Sequence, residues 1–232
     1  MKLKAPVKGI FFDAGWTLFY PIGNDWFFPK EFIDPKLLNA IPEDRKNKTI
    51  QAALKYLDDN HLVFTIEEEI KQFKYFYSMI SSALPELKIT GEKIDALVHR
   101  QVSGETICFF EDTLPTIKAL QGKYRMGIIS DNWPSLETRL IAGGLDSCFS
   151  TMTISSYLGF CKPDERMYRH ALEQMNLPPE ETVFIDDYED NLEAALGLGI
   201  QPVLITARPD TLNTGAFISI SRLSELPGIL PR

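Results

Sequence analysis

Cysteine is scarce in this chain of 232 residues: Cys108, Cys148 and Cys161 are the only three. They are odd in number and widely spaced, so no redox or metal pair is expected, and reduced thiols point to a cytoplasmic protein. Histidine is equally rare. His61, His99 and His170 show no i, i+4 ligand pair, which argues against a zinc site. No apolar run approaches the ~18 residues of a membrane span. The short run Gly9-Ile10-Phe11-Phe12 is cut off by Asp13, too early for a signal core. Positive charge is also deficient, with 24 Lys plus Arg against 32 Asp plus Glu and a net charge of −8. The densest basic stretch is Lys2, Lys4 and Lys8, so neither nucleic acid nor an anionic membrane is an expected partner. Internal repeats and low-complexity segments are absent. With 44% hydrophobic and 24% charged residues the composition is globular, which excludes a disordered or collagen-like chain.

What is present alternates. Residues 7–12 read as a buried strand ending at Asp13, and 14–24 as loop. From about 25 to 105 the pattern is helical. Asp34-Pro35 is a helix start, Thr65 and Glu68 form a capping-box pair, and Ile66, Ile70, Phe73, Tyr77 and Ile80 repeat at helical spacing. A last helix is expected at 91–103. Beyond it strands at 124–130, 148–154, 182–186, 203–206 and 217–220 alternate with helices. This predicts an α/β fold, a Rossmann-like, doubly wound parallel sheet with an inserted all-helical cap. The core is expected at 1–20 and 106–232, the cap at 21–105.

Polar residues end three of the apolar strands: Asp13, Ser130, and the pair Asp186-Asp187. In a parallel sheet these ends line the ligand crevice. Two acidic groups there need a positive charge between them. Two carboxylates, a backbone carbonyl and waters form a Mg2+ pattern, and Lys162 is a further candidate cation.

At these residues the chain resembles the haloacid dehalogenase-like hydrolase superfamily. Phe11-Phe12-Asp13-Ala14-Gly15-Trp16-Thr17-Leu18 is similar to its first motif, Ile128-Ile129-Ser130-Asp131-Asn132 to its second, and Leu158-Gly159-Phe160-Cys161-Lys162-Pro163-Asp164 to its third. Phe184-Ile185-Asp186-Asp187-Tyr188-Glu189-Asp190-Asn191 is similar to its fourth. The resemblance implies a Mg2+-dependent hydrolase of a small phosphorylated metabolite. Asp13 would be the nucleophile that forms an aspartyl-phosphate. Ser130 and Lys162 would act on the phosphoryl group, with Asn132 beside them in substrate binding. Asp13, Asp187 and the Gly15 carbonyl would hold the metal. Asp186 would hold Lys162 or a metal-bound water.

One position departs from the phosphatase pattern Asp-x-Asp-Gly-Thr. The second Asp, the general acid and base, is Gly15, and the usual Gly is Trp16. Such an acid/base contributes roughly 100- to 10,000-fold in rate. The alternatives are a phosphatase with weak or unusual activity, a phosphonatase using a cap lysine (Lys30, Lys36, Lys46, Lys48 or Lys55), a dehalogenase, or a non-catalytic relative that binds a phospho-ligand or partner. Asp131 reads as an ordinary loop residue, with a surrogate acid as the other reading. Trp26, Phe27, Phe28, Tyr75, Phe76 and Tyr77 read mainly as cap core or the cap–core contact, with the lining of a substrate pocket as the other reading. Oligomeric state has no signature in the chain.

Overall fold

A computed structural model describes residues 3–30 and 32–231, so Lys2 of the basic stretch lies outside the described residues. The chain begins with strands β1 (Gly9–Phe12) and β2 (Phe19–Pro21). Helices α1 (Pro35–Ala40), α2 (Glu43–Asp59), α3 (Ile66–Ala83) and α4 (Gly91–Ser103) follow. Strand β3 (Ile107–Phe109) then pairs antiparallel with β2. Next come α5 (Thr113–Leu120), β4 (Arg125–Ser130), α6 (Ser135–Ala142), β5 (Thr151–Ile154), α7 (Ser155–Leu158) and α8 (Glu165–Met175). The chain closes with β6 (Thr182–Asp186), α9 (Glu189–Gly197), β7 (Gln201–Ile205), β8 (Ile218–Ile220) and α10 (Leu226–Ile229).

The main sheet has the order β5-β4-β1-β6-β7-β8, and every neighbouring pair is parallel. A parallel sheet needs cover on both faces, and the period of two along each strand divides the apolar side chains accordingly. Ile10, Phe12, Ile128, Val183, Ile185 and Val203 face Ile117, Leu120, Leu136 and Leu140 of α5 and α6. Phe11, Ile129, Phe184 and Leu204 face Met167, Tyr168 and Ala171 of α8 and Leu192 and Ala195 of α9. The chain leaves β1 on one side to β4 and β5, then returns to β6 on the other. Its switch point therefore lies at β1, where the C-terminal strand ends form a crevice.

Helices α1 to α4 enclose a hydrophobic cluster of their own, including Ala53, Leu57, Phe73, Phe76, Tyr77, Ile80 and Leu97. The capping box is present: Glu68 N–H donates to Thr65 Oγ1 at 3.2 Å, and Thr65 N–H to Glu68 Oε2 at 3.2 Å.

The structure differs from expectation in two places. Residues 14–24 are not all loop, because β2 and β3 form a ribbon at the two ends of the helical segment. Three residues per strand are too few for a period-two signal. Residues 25–30 are not helical. Asp25 Oδ1 accepts the backbone N–H groups of Phe27 and Phe28 at 2.9 and 2.9 Å, a local turn that competes with a helix.

Polar contacts join the helical cluster to the α/β layer. Glu69 of α3 is fully buried, and its carboxylate accepts Ser135 N–H at 2.8 Å and Ser135 Oγ–H at 2.6 Å at the start of α6. Trp133 Nε1 donates to Gln72 Oε1 at 2.6 Å, and Arg139 Nη2 to the Gln101 carbonyl at 2.9 Å. Burial pushes the Glu69 carboxyl up, while Ser135 and the nearby Arg139 draw it back. Glu69→Ala strands the Ser135 donors and the Arg139 charge, so we expect a loss of about 3 kcal/mol. The check is the urea midpoint at unchanged m-value.

Candidate active site

A cavity of about 570 Å³ opens at the C-terminal edge of the sheet. Asp13, Gly15, Ser130, Asn132, Lys162, Asp186 and Asp187 all line it. Asp13 follows β1, Ser130 ends β4, Asp186 ends β6 and Asp187 comes next, so the strand order alone gathers them.

Lys162 reaches in from the loop before α8. Its ammonium lies 2.6 Å from Asp13 Oδ1 and 2.7 Å from Asp186 Oδ2. Its backbone N–H donates to Asp131 Oδ1 at 2.9 Å. Burial works against the ammonium, but Asp13, Asp186 and Asp131 outweigh it and hold the group charged. Asp186 is fully occupied. Besides Lys162 it accepts Tyr188 N–H at 2.8 Å on Oδ1 and the Asn191 amide at 3.1 and 3.0 Å on its two oxygens. Of the two roles expected for it, its contacts are those of a holder of Lys162. The Asn132 carboxamide is also engaged, its Oδ1 accepting Trp133 N–H at 3.1 Å and Arg139 Nη1 at 3.2 Å. Ser130 is buried in the same wall.

The electrostatics are unbalanced. Among the described residues five aspartates and three cationic side chains line the cavity, a formal surplus of two negative charges. Burial, opposed by Lys162 and reinforced by Asp186, pushes the Asp13 carboxyl up to about 7. Burial with Asp13 and Asp186 nearby pushes Asp187 up to about 8. Protons are retained where counter-charge is missing.

Several lining residues carried no usable sequence signal. Arg208, beyond β7, places Nη1 3.1 Å from Asp187 Oδ2, and its guanidinium lies 3.9 Å over the Tyr188 ring. Its position past a strand end at this edge was the one available hint. Trp26 and Phe27, for which pocket lining is the lesser of the sequence readings, line the cavity together with Trp16 and Trp133. A Cβ at Gly15 would meet Trp26 Cζ2 at 3.3 Å, so the indole fills the space of a residue-15 side chain. Trp16 takes the left-handed φ of 56° usually left to glycine, and its ring stacks on Tyr20 at 5.9 Å. Lys30, Lys36, Lys46, Lys48 and Lys55 do not line the cavity; among the described residues Lys162 is its one lysine.

A family model described as haloacid dehalogenase-like hydrolase matches residues 30–199. The chain belongs to this family. GMP/IMP nucleotidase YrfG of Escherichia coli K12 is 34% identical over 103 residues, covering 44% of this chain and 46% of that protein. This chain thus spans under half the length of that relative. Glyceraldehyde 3-phosphate phosphatase of Methanothermobacter thermautotrophicus is 24% identical over 205 residues, 87% of this chain and 86% of that one. The crystal structure of a 2-haloacid dehalogenase from Pseudomonas syringae pv. Tomato DC3000 superposes with a TM-score of 0.64 at 16% identity, covering 97% and 98% of the two chains. That last likeness is one of fold.

In this hydrolase the Trp26 indole leaves little room for a side chain at residue 15. Gly15→Asp would press a further carboxylate against the Trp26 ring, and we expect a cost of about 1–3 kcal/mol. Trp26→Ala opens that space, so the double variant should lose less than the sum of the single losses. Additive losses in urea denaturation would mean that the indole does not fill the position.

Proposed function

We propose that this hydrolase releases phosphate from a small phosphorylated metabolite with Mg2+ bound, passing the phosphoryl group to Asp13 and then to water. The observation that carries the proposal is Asp13: a buried carboxylate 2.6 Å from the Lys162 ammonium, in a cavity with surplus negative charge. The donors suit a hard cation. Asp187 Oδ2 is buried and has no hydrogen-bond partner among the described residues, and its ion pair with Arg208 is off hydrogen-bond direction. Among the described residues no group of three or more His, Cys, Asp or Glu is spaced for a metal. Mg2+ does not need one, since it keeps several waters and takes one or two carboxylates. Asp13, Asp187 and the Gly15 carbonyl would hold it, and when bound it supplies positive charge beside the anionic phosphoryl group.

The remaining roles belong to the chain. Lys162 holds and orients Asp13, and its charge offsets that of the incoming phosphate. Asp186 keeps Lys162 in place. Ser130 and Asn132 would border the phosphoryl oxygens. The helical unit at 21–105 would close on the core at 1–20 and 106–232, with Trp16, Trp26, Phe27 and Trp133 offering flat faces to the leaving group. The relatives named as a nucleotidase and a sugar-phosphate phosphatase support a phosphomonoester. A phosphonatase has no reactive lysine from the helical unit in this cavity. The surplus of carboxylates counts against a dehalogenase, whose anionic substrate would meet it with no metal to offset the charge. A pure binding site has no need of a buried carboxylate facing its ligand. The three free thiols fit a reducing cytoplasm. No helix among the described residues is long and apolar enough to cross a membrane.

Phosphate release from a panel of nucleoside monophosphates and sugar phosphates should require Mg2+ and fall at least about 1,000-fold in Asp13→Asn. Full activity in that variant would reject Asp13 as nucleophile. A second expectation concerns pH. Asp13 and Asp187 keep protons up to about 7 and 8, against an ordinary 3.8. In metal-free protein the folded state binds protons that the unfolded chain has lost, so these two groups lower stability as pH rises from 3.8 towards 8. Protons and Mg2+ compete for the same oxygens. The rise in Tm on adding Mg2+ should therefore grow between about pH 5 and about pH 8. A pH-independent rise would place the ion elsewhere.

A further inference from the structure

Residue 15 offers no acid, and the Trp26 indole fills the space beside it. An alkyl phosphate still needs a proton on its departing oxygen, because an alkoxide is too basic to leave unaided. The structure offers another carboxylate. Strand β4 lies beside β1, and Asp131 directly follows its last residue, Ser130. Asp131 lines the same cavity as Asp13 and Lys162 and is exposed in it. Its charge is felt at Asp13, whose carboxyl it helps to raise. The Lys162 backbone N–H anchors Oδ1 at 2.9 Å, which fixes the group relative to the side chain that grips the nucleophile. The crowding of protein around the Asp131 carboxyl raises it, against the pull of Lys162, in the direction that suits an acid.

We propose that Asp131 is the general acid and base of this site, replacing from the neighbouring strand the carboxylate that residue 15 lacks. The proposal rests on Asp13 being the nucleophile. In the first step a bond forms between an Asp13 oxygen and phosphorus as the ester P–O bond breaks. The Asp131 carboxylic acid gives its proton to the departing oxygen, and an alcohol leaves. In the second step the Asp131 carboxylate takes a proton from water as the water oxygen attacks phosphorus. The aspartyl P–O bond breaks, phosphate leaves, and both residues return to their starting forms.

The test compares wild type, Asp13→Asn and Asp131→Asn, with Mg2+, on p-nitrophenyl phosphate and on alkyl esters such as glycerol phosphate and GMP. The carboxamide in Asp131→Asn keeps an oxygen for the Lys162 N–H. Nitrophenolate leaves without a proton, so Asp131→Asn should release about one equivalent as fast as wild type and then stall, with the phosphoenzyme visible by intact mass after acid quench. Its turnover of alkyl esters should fall about 100- to 10,000-fold with no phosphoenzyme accumulating. The burst itself reports a folded site. An equal loss of first-turnover rate on both substrate types, or no loss on alkyl esters, would leave Asp131 as a positioning residue and overturn the proposal. So would a wild type that cleaves only the nitrophenyl ester. Unimpaired turnover in Asp13→Asn, or no turnover by wild type on any ester, would instead remove the nucleophile assignment and this proposal with it.

Discussion

One buried ammonium holds the acidic C-terminal edge of the sheet together. Lys162 lies 2.6 Å from Asp13 and 2.7 Å from Asp186, at the tips of two adjacent strands. Without it these carboxylates would face each other in a poorly hydrated cleft, where like charges repel strongly. The pairing also links segments far apart in the chain, since residue 162 precedes α8 while residue 13 follows β1. Even so, the cation count falls short of the acidic count around the cavity.

The absence of a side chain at residue 15 leaves no gap. Trp26 fills the volume, and Trp16 keeps the left-handed turn that a glycine would adopt more easily. Trp16, Trp26, Phe27 and Trp133 line the cavity together with five aspartates. Polar ties hold the two sides in register. Glu69 joins Ser135, Gln72 joins Trp133, and His61 Nε2 lies 2.6 Å from Ser155 Oγ. Burial holds the His61 imidazole below its usual range, which favours the neutral ring in that contact. These buried polar contacts set the position of the helices over the site, because each would leave an unpaired group if the helices moved away.

Sequence alone determined the elements and the acidic edge. Apolar runs ending in Asp13, Ser130 and Asp186, the capping box of Thr65 and Glu68, and the stripe Phe73, Tyr77 and Ile80 follow from local spacing, and local spacing is written directly in the chain. The motif pattern extended this to Lys162, whose ammonium lies 2.6 Å from Asp13 Oδ1 in the fold. Tertiary structure alone decided the neighbours of each group. Arg208 beside Asp187, Trp26 against Gly15, Asp131 in the cavity wall and the β2–β3 ribbon all depend on which strands lie side by side and how irregular loops return to them. Loops have no periodicity to read, and contact across a sheet is fixed by strand order, a property of the folded chain as a whole.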